Sequence, residues 1–246
     1  MKKVFIISIL LIAVFFSGIV LVQAKPDQLN PASDIERGIF VHYPHARGEA
    51  KGVTTGDQVN DFKYNGIHWT GNTPEVKYII NPKNSERLSE NAVVQAVDTA
   101  FQEWIDHNPT DSKYIRFKNG GVNLSLETPA NPNRDSVNSV SFEPLNNAYP
   151  NAIAVTFYWY SRSTKELLET DTVFNSDLLW SITVNGDPNS YDLQNIATHE
   201  FGHWLVLGDL YSQRDWALTM YGYGGLGEII KRTLGKGDIS GINKIY

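Results

Sequence analysis

The sequence His199-Glu200-Phe201-Gly202-His203 carries two histidines four residues apart, with a glutamate directly after the first. On a helix, residues at this spacing lie on one face about one turn apart, so both imidazoles can bind the same Zn²⁺. Glu200 projects beside that metal without being needed as a ligand. Its carboxylate can take the proton of a water molecule that the metal activates for attack on a carbonyl group. The motif therefore predicts metal-dependent hydrolysis.

A catalytic zinc site requires a third protein ligand and keeps one position open. Asp209 follows His203 closely, but on an unbroken helix it would lie about 15 Å along the axis from His199 and could not share the metal. A break after His203 would fold the chain back. Gly208 is the expected turn, because glycine adopts a positive φ without steric cost. In another group of zinc hydrolases a downstream glutamate is the third ligand, and Glu228 is the acid at a suitable distance.

Residues 199–209 resemble the active-site sequence of the metzincin zinc proteases and, among them, the matrixins. That sequence reads HExxHxxGxxH or, in some members, HExxHxxGxxD. The resemblance implies that Zn²⁺ is held by His199, His203 and Asp209. Val206 stands where the family has glycine, so we expect Gly208 to provide the turn.

A second family feature lies further along the chain. Met220 occurs in Leu218-Thr219-Met220-Tyr221, the context of the matrixin Met-turn. The resemblance implies that its side chain forms an apolar floor beneath the zinc and is not a ligand. Tyr221 and Tyr223 belong to or follow this turn, and we interpret them as candidates for the wall of a substrate pocket.

The resemblance covers residues 66–246 and implies an α+β fold. The expected architecture is a twisted mixed β-sheet, an active-site helix beneath it and a small C-terminal subdomain from about Gly208. The segments that carry the similarity are Trp69, 78–82, 96–104, 152–156, 171–180 and 232–246. A peptide substrate would add as a strand along the edge at 152–157, with Ala152 and Ala154 in contact with it.

Hydrophobic periodicity gives a compatible set of elements. Strands are predicted at 76–80, 114–117, 137–142, 152–160 and 167–174, and helices at 89–107, 190–207 and 236–245. Ser89 is the predicted N-cap of the first helix, and Asp192 suits the first turn of the second. Strands mixed with helices indicate an α/β or α+β domain.

The N-terminus has the form of an export signal. Two lysines precede the apolar run 4–22, and Val22-Gln23-Ala24 is a suitable cleavage site. We therefore expect residues 1–24 to be removed and the protein to be secreted. The alternative is a membrane anchor through 4–22. Residues 25–65 are interpreted as a loosely structured leader or short pro-segment, and 66–246 as the protease domain.

Composition excludes several other classes of protein. The 246-residue chain has no cysteine, which rules out disulfides, thiolate metal sites and a cysteine nucleophile, as well as the cysteine switch of matrixins. A net charge of −6 argues against a nucleic-acid partner. We expect a monomer that acts on protein or peptide substrates, without a membrane partner once the signal is removed.

The predicted function is thus a secreted zinc endopeptidase in which Glu200 is the general base for a zinc-activated water. Two alternatives remain: a zinc hydrolase that uses Glu228 as third ligand, and a surface or binding protein that retains zinc without proteolysis. Ca²⁺ is a further candidate ion, since Asp171, Asp177 and Asp187 offer oxygen ligands.

We assign no catalytic or ligand role to the four remaining histidines or to four of the tryptophans. We interpret four histidines as solvent-facing and four tryptophans as parts of the core. These residues are His42, His45, His68, His107, Trp104, Trp159, Trp180 and Trp204.

Overall fold

The computed structural model describes residues 34–45, 58–83, 88–109 and 113–246. The predicted export signal lies outside the described residues, as does the start of the leader. Every helix within the described ranges is too short or too polar to cross a lipid bilayer. Residues 34–246 belong to one compact unit.

The described residues form short strands and three α-helices. The strands are β1 (Ile35–Pro44), β2 (Lys63–Tyr64), β3 (Glu75–Ile80), β4 (Arg116–Val122), β5 (Ser139–Glu143), β6 (Ala154–Ser161), β7 (Leu167–Asn175), β8 (Trp180–Ser181), β9 (Tyr191–Asp192), β10 (Leu207–Gly208) and β11 (Tyr223–Gly224). The helices are α1 (Glu90–Asp106), α2 (Leu193–His203) and α3 (Lys236–Ile245).

Seven of these strands form one mixed sheet in the order β11-β1-β6-β7-β5-β3-β4. Strand β6 is antiparallel to both β1 and β7, whereas the pairs β7–β5, β5–β3, β3–β4 and β1–β11 are parallel. Two further pairs, β10–β2 and β8–β9, lie outside this sheet. A mixed sheet packed with helices is the α+β architecture that the sequence predicted.

Helix α1 fixes the position of α2 beneath the sheet. Ser89 caps α1 by accepting a hydrogen bond from the amide of Ala92, as the sequence predicted. The rings of Phe101 in α1 and Phe201 in α2 stack with centroids 3.6 Å apart. Trp104 completes the contact, because its indole donates to the carbonyl of Thr198 at 2.8 Å. These buried aromatic contacts between α1 and α2 fix the position of α2.

All four tryptophans assigned to the core are buried, with at most 5 % of their surface exposed.

The expectation of a loosely structured leader is wrong for β1 and β2. Residues 35–42 pair along their length with β6, and 63–64 pair with β10. The segment is rich in β-branched and aromatic residues, including Ile39, Phe40 and Val41, which favour a pleated, half-buried strand. The neighbouring charged residues and Gly38 mask this tendency in the sequence.

Three predicted boundaries also differ from the structure. Strand β6 begins at Ala154, after Ala152, and is paired on both sides, so it is not an edge strand. Strand β4 extends to Val122, beyond the predicted end. Helix α2 ends at His203 because the chain then turns, and Asp192 is its N-cap, accepting from a backbone amide at 2.9 Å.

A buried carboxyl group lies between β5 and β7. The amide and hydroxyl of Ser139 both donate to Asp171, at 3.0 and 2.6 Å. Burial, together with the nearby carboxylate of Glu169, raises the pKa of Asp171 to about 7, although the hydrogen bonds from Ser139 act in the opposite direction. The folded chain therefore holds a proton that the unfolded chain releases above about pH 4, so stability falls as pH rises from about 4 to 7.

Asp171→Asn should remove this pH dependence, because an amide keeps the acceptor for Ser139 and carries no charge at any pH. We expect a stability close to wild type at pH 4 and a gain on the order of 2–4 kcal/mol at pH 8, measured by urea unfolding. Asp177→Asn, at an exposed aspartate, is the control and should change stability by less than about 0.5 kcal/mol. An equal effect of Asp171→Asn at both pH values would contradict the prediction.

Candidate active site

Helix α2 presents two histidines whose outer nitrogens point to the same place. Nδ1 of His199 donates to the carbonyl of Thr219 at 2.7 Å, and Nδ1 of His203 donates to the carbonyl of Leu207 at 2.7 Å. Each hydrogen bond places the proton on Nδ1 and leaves the lone pair on Nε2. Both rings are fully buried, and both Nε2 atoms lack a hydrogen-bond partner among the described residues. This is the arrangement of metal-ligating histidines with backbone carbonyls as outer partners.

The chain turns sharply after α2, and the residue that makes the turn is Val206. Its φ is 54°, in the left-handed region, whereas Gly208 is not among the residues with positive φ. The prediction that Gly208 provides the turn is therefore wrong. Gly208 instead lies in β10, paired with Lys63. Val206 holds this conformation although it is β-branched, and its side chain is buried in the main hydrophobic core.

The turn carries Asp209 back to the two histidines. Its Oδ1 lies 3.2 Å from Nε2 of His199 and 3.5 Å from Nε2 of His203. One ligand atom from each of the three residues lies within 4.8 Å of the others. Two imidazole nitrogens and a carboxylate oxygen at this spacing can all reach one Zn²⁺ at about 2.0–2.2 Å. The residues thus fit the ion that the sequence predicted.

The charges of the cluster favour a cation. Burial alone would raise the pKa of Asp209, but the electrostatic attraction of His203 and the close approach of both Nε2 atoms hold it well below its usual range. Burial lowers the pKa of His199 to about 4, so this ring is neutral at pH 7. A buried carboxylate beside a neutral imidazole is suited to compensation by a metal ion.

Glu200 lies next to this cluster and is fully buried. Its Oε2 accepts a hydrogen bond from the hydroxyl of Thr156 at 2.6 Å, and its Oε1 is 3.1 Å from Nδ1 of His42. Burial raises the pKa of Glu200 to about 7, against the charge of His203 and the hydrogen bond from Thr156, which lower it. A carboxyl group with a pKa near neutrality can both accept and return a proton.

The methionine of the predicted Met-turn lies beneath α2. Met220 is 1 % exposed, and a Cβ added to Gly202 would meet its sulfur at 2.1 Å. The turn is held by the buried carboxyl group of Asp238, which accepts from the amides of Thr219 and Met220 at 2.8 and 2.9 Å. Since Thr219 also orients His199, this contact ties α3 to the metal-binding face.

Other predicted site residues are placed away from the cluster. Glu228 pairs with Lys231 at 3.0 Å and lies 3.3 Å from His45, so the structure does not bring it to the two histidines as a third ligand. The three aspartates considered for Ca²⁺ are not brought together: each accepts hydrogen bonds from its own neighbourhood. These contacts are Asp171 with Ser139, Asp177 with Asn146, and Asp187 with Ser190. Among the described residues, two groups of side chains could hold a metal ion, and both include residues of α2.

The predicted substrate-contact residues lie in or next to the two strands that flank β1. Ala154 is in β6 and Tyr223 in β11, the two strands that flank β1. Ala152 precedes β6, and Tyr221 lies between Met220 and β11.

His42 is the site residue that the sequence interpretation missed. It was taken as solvent-facing, but it is 1 % exposed, and its ring centroid lies 3.9 Å from that of His199. The sequence did contain a signal for this. If residues 39–42 form a strand, the side chains of Phe40 and His42 lie on the same face.

The site combines a helix with two histidines and a glutamate, a turn that returns an aspartate, and a methionine beneath them. This combination defines the class of zinc metalloproteases. The family model described as Matrixin matches residues 68–246. The chain therefore belongs to the matrixin family, whose members are zinc-dependent endopeptidases, and the resemblance noted in the sequence is confirmed. No curated protein matched the chain. His42 and the rest of β1 lie outside the matched residues.

Val206 allows a test of the turn. Val206→Gly should relieve the left-handed strain of a β-branched residue, about 1–2 kcal/mol, and should also lose the burial of the side chain, about 1.5–3 kcal/mol. The control is Val140→Gly in β5, where the valine is equally buried and has no positive φ. In urea unfolding, Val140→Gly should cost about 1–2 kcal/mol more than Val206→Gly. Equal costs would show that Val206 is not strained.

Proposed function

We propose that this protein is a secreted zinc endopeptidase that uses Glu200 as general base. The observation that supports this best is the convergence of His199, His203 and Asp209 on one point, with Glu200 directly beside it. When bound there, Zn²⁺ would polarise a substrate carbonyl and make a water molecule more acidic. Asp209 and the Nε2 atoms of the two histidines would hold the ion and leave one side of it open.

Glu200 performs the proton transfers in this proposal. Its carboxylate takes the proton of the attacking water and later delivers it to the leaving amine as the peptide bond breaks. Burial beneath the sheet excludes bulk water from the carboxylate, and the hydroxyl of Thr156 holds one of its oxygens in place. The other oxygen, Oε1, lies 3.1 Å from Nδ1 of His42.

The substrate would bind as an extended strand alongside β6, in the place that β1 takes in this structure. Main-chain groups at Ala152 and Ala154 would supply hydrogen bonds that do not depend on the substrate sequence. Tyr221 and Tyr223 would form a wall of the pocket for a side chain on the other side of the cleft. The preference for particular residues would then arise in that pocket.

The alternative of a zinc-retaining protein without proteolysis is less well supported. A structural zinc site closes with a fourth protein ligand. The cluster His199, His203 and Asp209 contains three ligands, and the buried Glu200 beside it has a pKa near neutrality, as a general base requires.

The experiment is metal analysis of the purified chain beginning at Lys25, followed by an assay on a denatured protein substrate. We expect one zinc per chain and cleavage that a chelator abolishes and added Zn²⁺ restores. Zinc binding without any cleavage, in this chain and in the variants described below, would favour the non-proteolytic alternative. Absence of zinc binding would contradict both.

Export is part of the proposal. Protein recovered outside the native host cell should begin at or near Lys25, as read by N-terminal mass spectrometry. An intact N-terminus in the membrane fraction would instead support an anchor through residues 4–22.

A further inference from the structure

Strand β1 lies in the position that the proposed function assigns to a substrate strand. It pairs antiparallel with β6 as far as His42, which lies opposite Ala154. The amide of Ile153 donates to the carbonyl of His42 at 2.7 Å. Beyond this point Tyr43 pairs in parallel with Tyr223 of β11. The main chain of β1 therefore uses hydrogen-bonding groups on both walls of the cleft.

Two side chains of β1 point into the active site. The ring of Phe40 stacks on His203 with centroids 3.9 Å apart and planes 3° from parallel. The ring of His42 lies 3.9 Å from His199 and bonds Glu200 at 3.1 Å. These contacts cover both metal-binding histidines of α2 from the side of the cleft.

The contact of His42 also occupies the proposed general base. One oxygen of Glu200 accepts from Thr156, and the other is bonded to His42. A water molecule that gives its proton to Glu200 needs an open approach to the carboxylate. While β1 is in place, each oxygen has a hydrogen-bonded neighbour from the same molecule, and the carboxylate is fully buried.

We propose that β1 is an intramolecular blocking strand and that His42 is the residue that caps Glu200. The proposal rests on the proposed function, because it takes the cleft beside β6 as the substrate site. A strand tethered to its own enzyme has an effective concentration of about millimolar or more, so an external peptide must displace it to bind. The protein with β1 in place is thus a low-activity form.

In this proposal His42 acts on the base, through the contact of its Nδ1 with Glu200. The atoms of His42, His199 and Glu200 form one close group, and those of His199, His203 and Asp209 form another. His42 belongs only to the first. Its loss should therefore free Glu200 while the three metal ligands stay in place.

A steric variant in the full chain tests the blocking strand. Gly38 lies opposite Tyr158, and a Cβ at this position would meet the tyrosine ring at 2.0 Å. That ring is stacked between Phe40 and Tyr160, so it cannot easily move aside. Gly38→Val should displace β1 and raise the rate on a denatured protein substrate by at least about tenfold. Ile39→Thr, at the exposed neighbouring position, is the control and should change the rate less than about twofold.

Hydrogen exchange provides a second measurement that does not depend on activity. The amides of β6 that face β1 should exchange at least about tenfold faster in Gly38→Val than in the unchanged chain or in Ile39→Thr. Unchanged exchange together with an unchanged rate would overturn the blocking strand. Faster exchange with no proteolysis in any variant would leave β1 in the cleft but contradict the proposed function, so the two failures are distinguishable.

A second variant tests the cap itself. His42→Ala should raise the rate at least about threefold and should leave the zinc affinity, measured against a competing chelator, within about threefold of wild type. His107→Ala, at the end of α1, is the matched control and should change neither value. A fall in zinc affinity by more than about tenfold would show that His42 holds the metal, and would overturn the cap on Glu200.

An independent observation concerns three side chains behind Glu200. The indole of Trp204 donates to the hydroxyl of Thr172 at 2.9 Å, which lies 2.8 Å from the hydroxyl of Thr156. Thr156 in turn donates to Glu200 at 2.6 Å. Because Thr156 uses its single proton on the carboxylate, Thr172 must donate to Thr156. The order of donation is therefore fixed from Trp204 to Glu200.

We infer that Thr156 is a positioning residue for Glu200, supported by Thr172 and Trp204. All three side chains are fully buried, so no water competes for these hydrogen bonds. The chain of donors fixes Oε2 of Glu200 against the sheet, and this leaves Oε1 directed at the reacting water. Such a constraint acts on the chemical step and not on the binding of the substrate main chain.

The test is the isosteric variant Thr156→Val. It should lower kcat by about tenfold or more, because a hydrogen bond to a charged group is lost, and leave KM within about twofold. Thr156→Ser should restore kcat to within about threefold of wild type, since it keeps the donor. The control is Thr170→Val in β7, where the buried hydroxyl has no hydrogen-bond partner in the described part of the chain.

Each rate should be measured in the otherwise unchanged chain and together with Gly38→Val, so that a bound β1 cannot conceal the effect. If Thr156→Val and Thr170→Val lowered kcat equally, or if serine failed to restore it, the positioning role would be wrong. Wild-type cleavage in the same assay would show that the proposed function still stands.

Discussion

Replacing Glu200 with glutamine should lower the rate of peptide hydrolysis by about 10²–10⁴-fold, while the chain still binds one zinc ion. The physical reason is that the amide keeps the size of the side chain and its contact with Thr156 but cannot take a proton. The three proposed metal ligands are unchanged. The measurements are the initial rate on a denatured protein substrate and the zinc content of the same sample.

The matched control for this variant is Glu166→Gln. Glu166 is on the surface, where it accepts a hydrogen bond from Thr70. Its replacement should leave both rate and zinc content unchanged within about twofold. A Glu200→Gln enzyme with the wild-type rate would contradict the mechanism, and a variant without zinc would show that Glu200 has a structural role.

The second large effect is expected at Asp209. Asp209→Asn keeps the shape of the side chain but removes its negative charge, so zinc affinity should fall on the order of 100-fold or more. Asp209→His, which restores the more common metzincin ligand, should retain zinc and part of the activity. A competition experiment with a chelator measures the affinity in both variants.

The control is again Asp177→Asn, which removes an exposed carboxylate that is not part of the cluster. If Asp209→Asn bound zinc as tightly as this control, Asp209 would not be the third ligand. Retention of zinc by Asp209→His with loss by Asp209→Asn would show that the position supplies a ligand and that the turn at Val206 brings it there.

The sequence alone predicted the helix that carries His199 and His203. The spacing of His199 and His203 is a local property, because four residues make about one turn of any α-helix. The N-cap at Ser89, the helix that begins there and the strand at 76–80 also follow from patterns within a few residues. Combined with the family resemblance, these patterns were sufficient for the α+β class and for the proposed ligand set.

Tertiary structure decided how the chain returns to His199 and His203. The sequence favoured Gly208 for the turn, since glycine alone adopts a positive φ at no cost. The structure places that conformation at Val206. There, burial of the side chain compensates for the backbone strain, and this compensation depends on neighbours that are distant in the sequence.

Tertiary structure likewise decided what surrounds the general base. His42 and Thr156 both contact Glu200, yet they are 158 and 44 residues away in the chain. Local patterns contain no information about which strands pair, because pairing depends on the hydrogen-bonding groups and the faces that other strands leave free. The sequence thus determined the chemical groups of the site, and the sheet that brings β1 and β6 together determined which of them Glu200 meets.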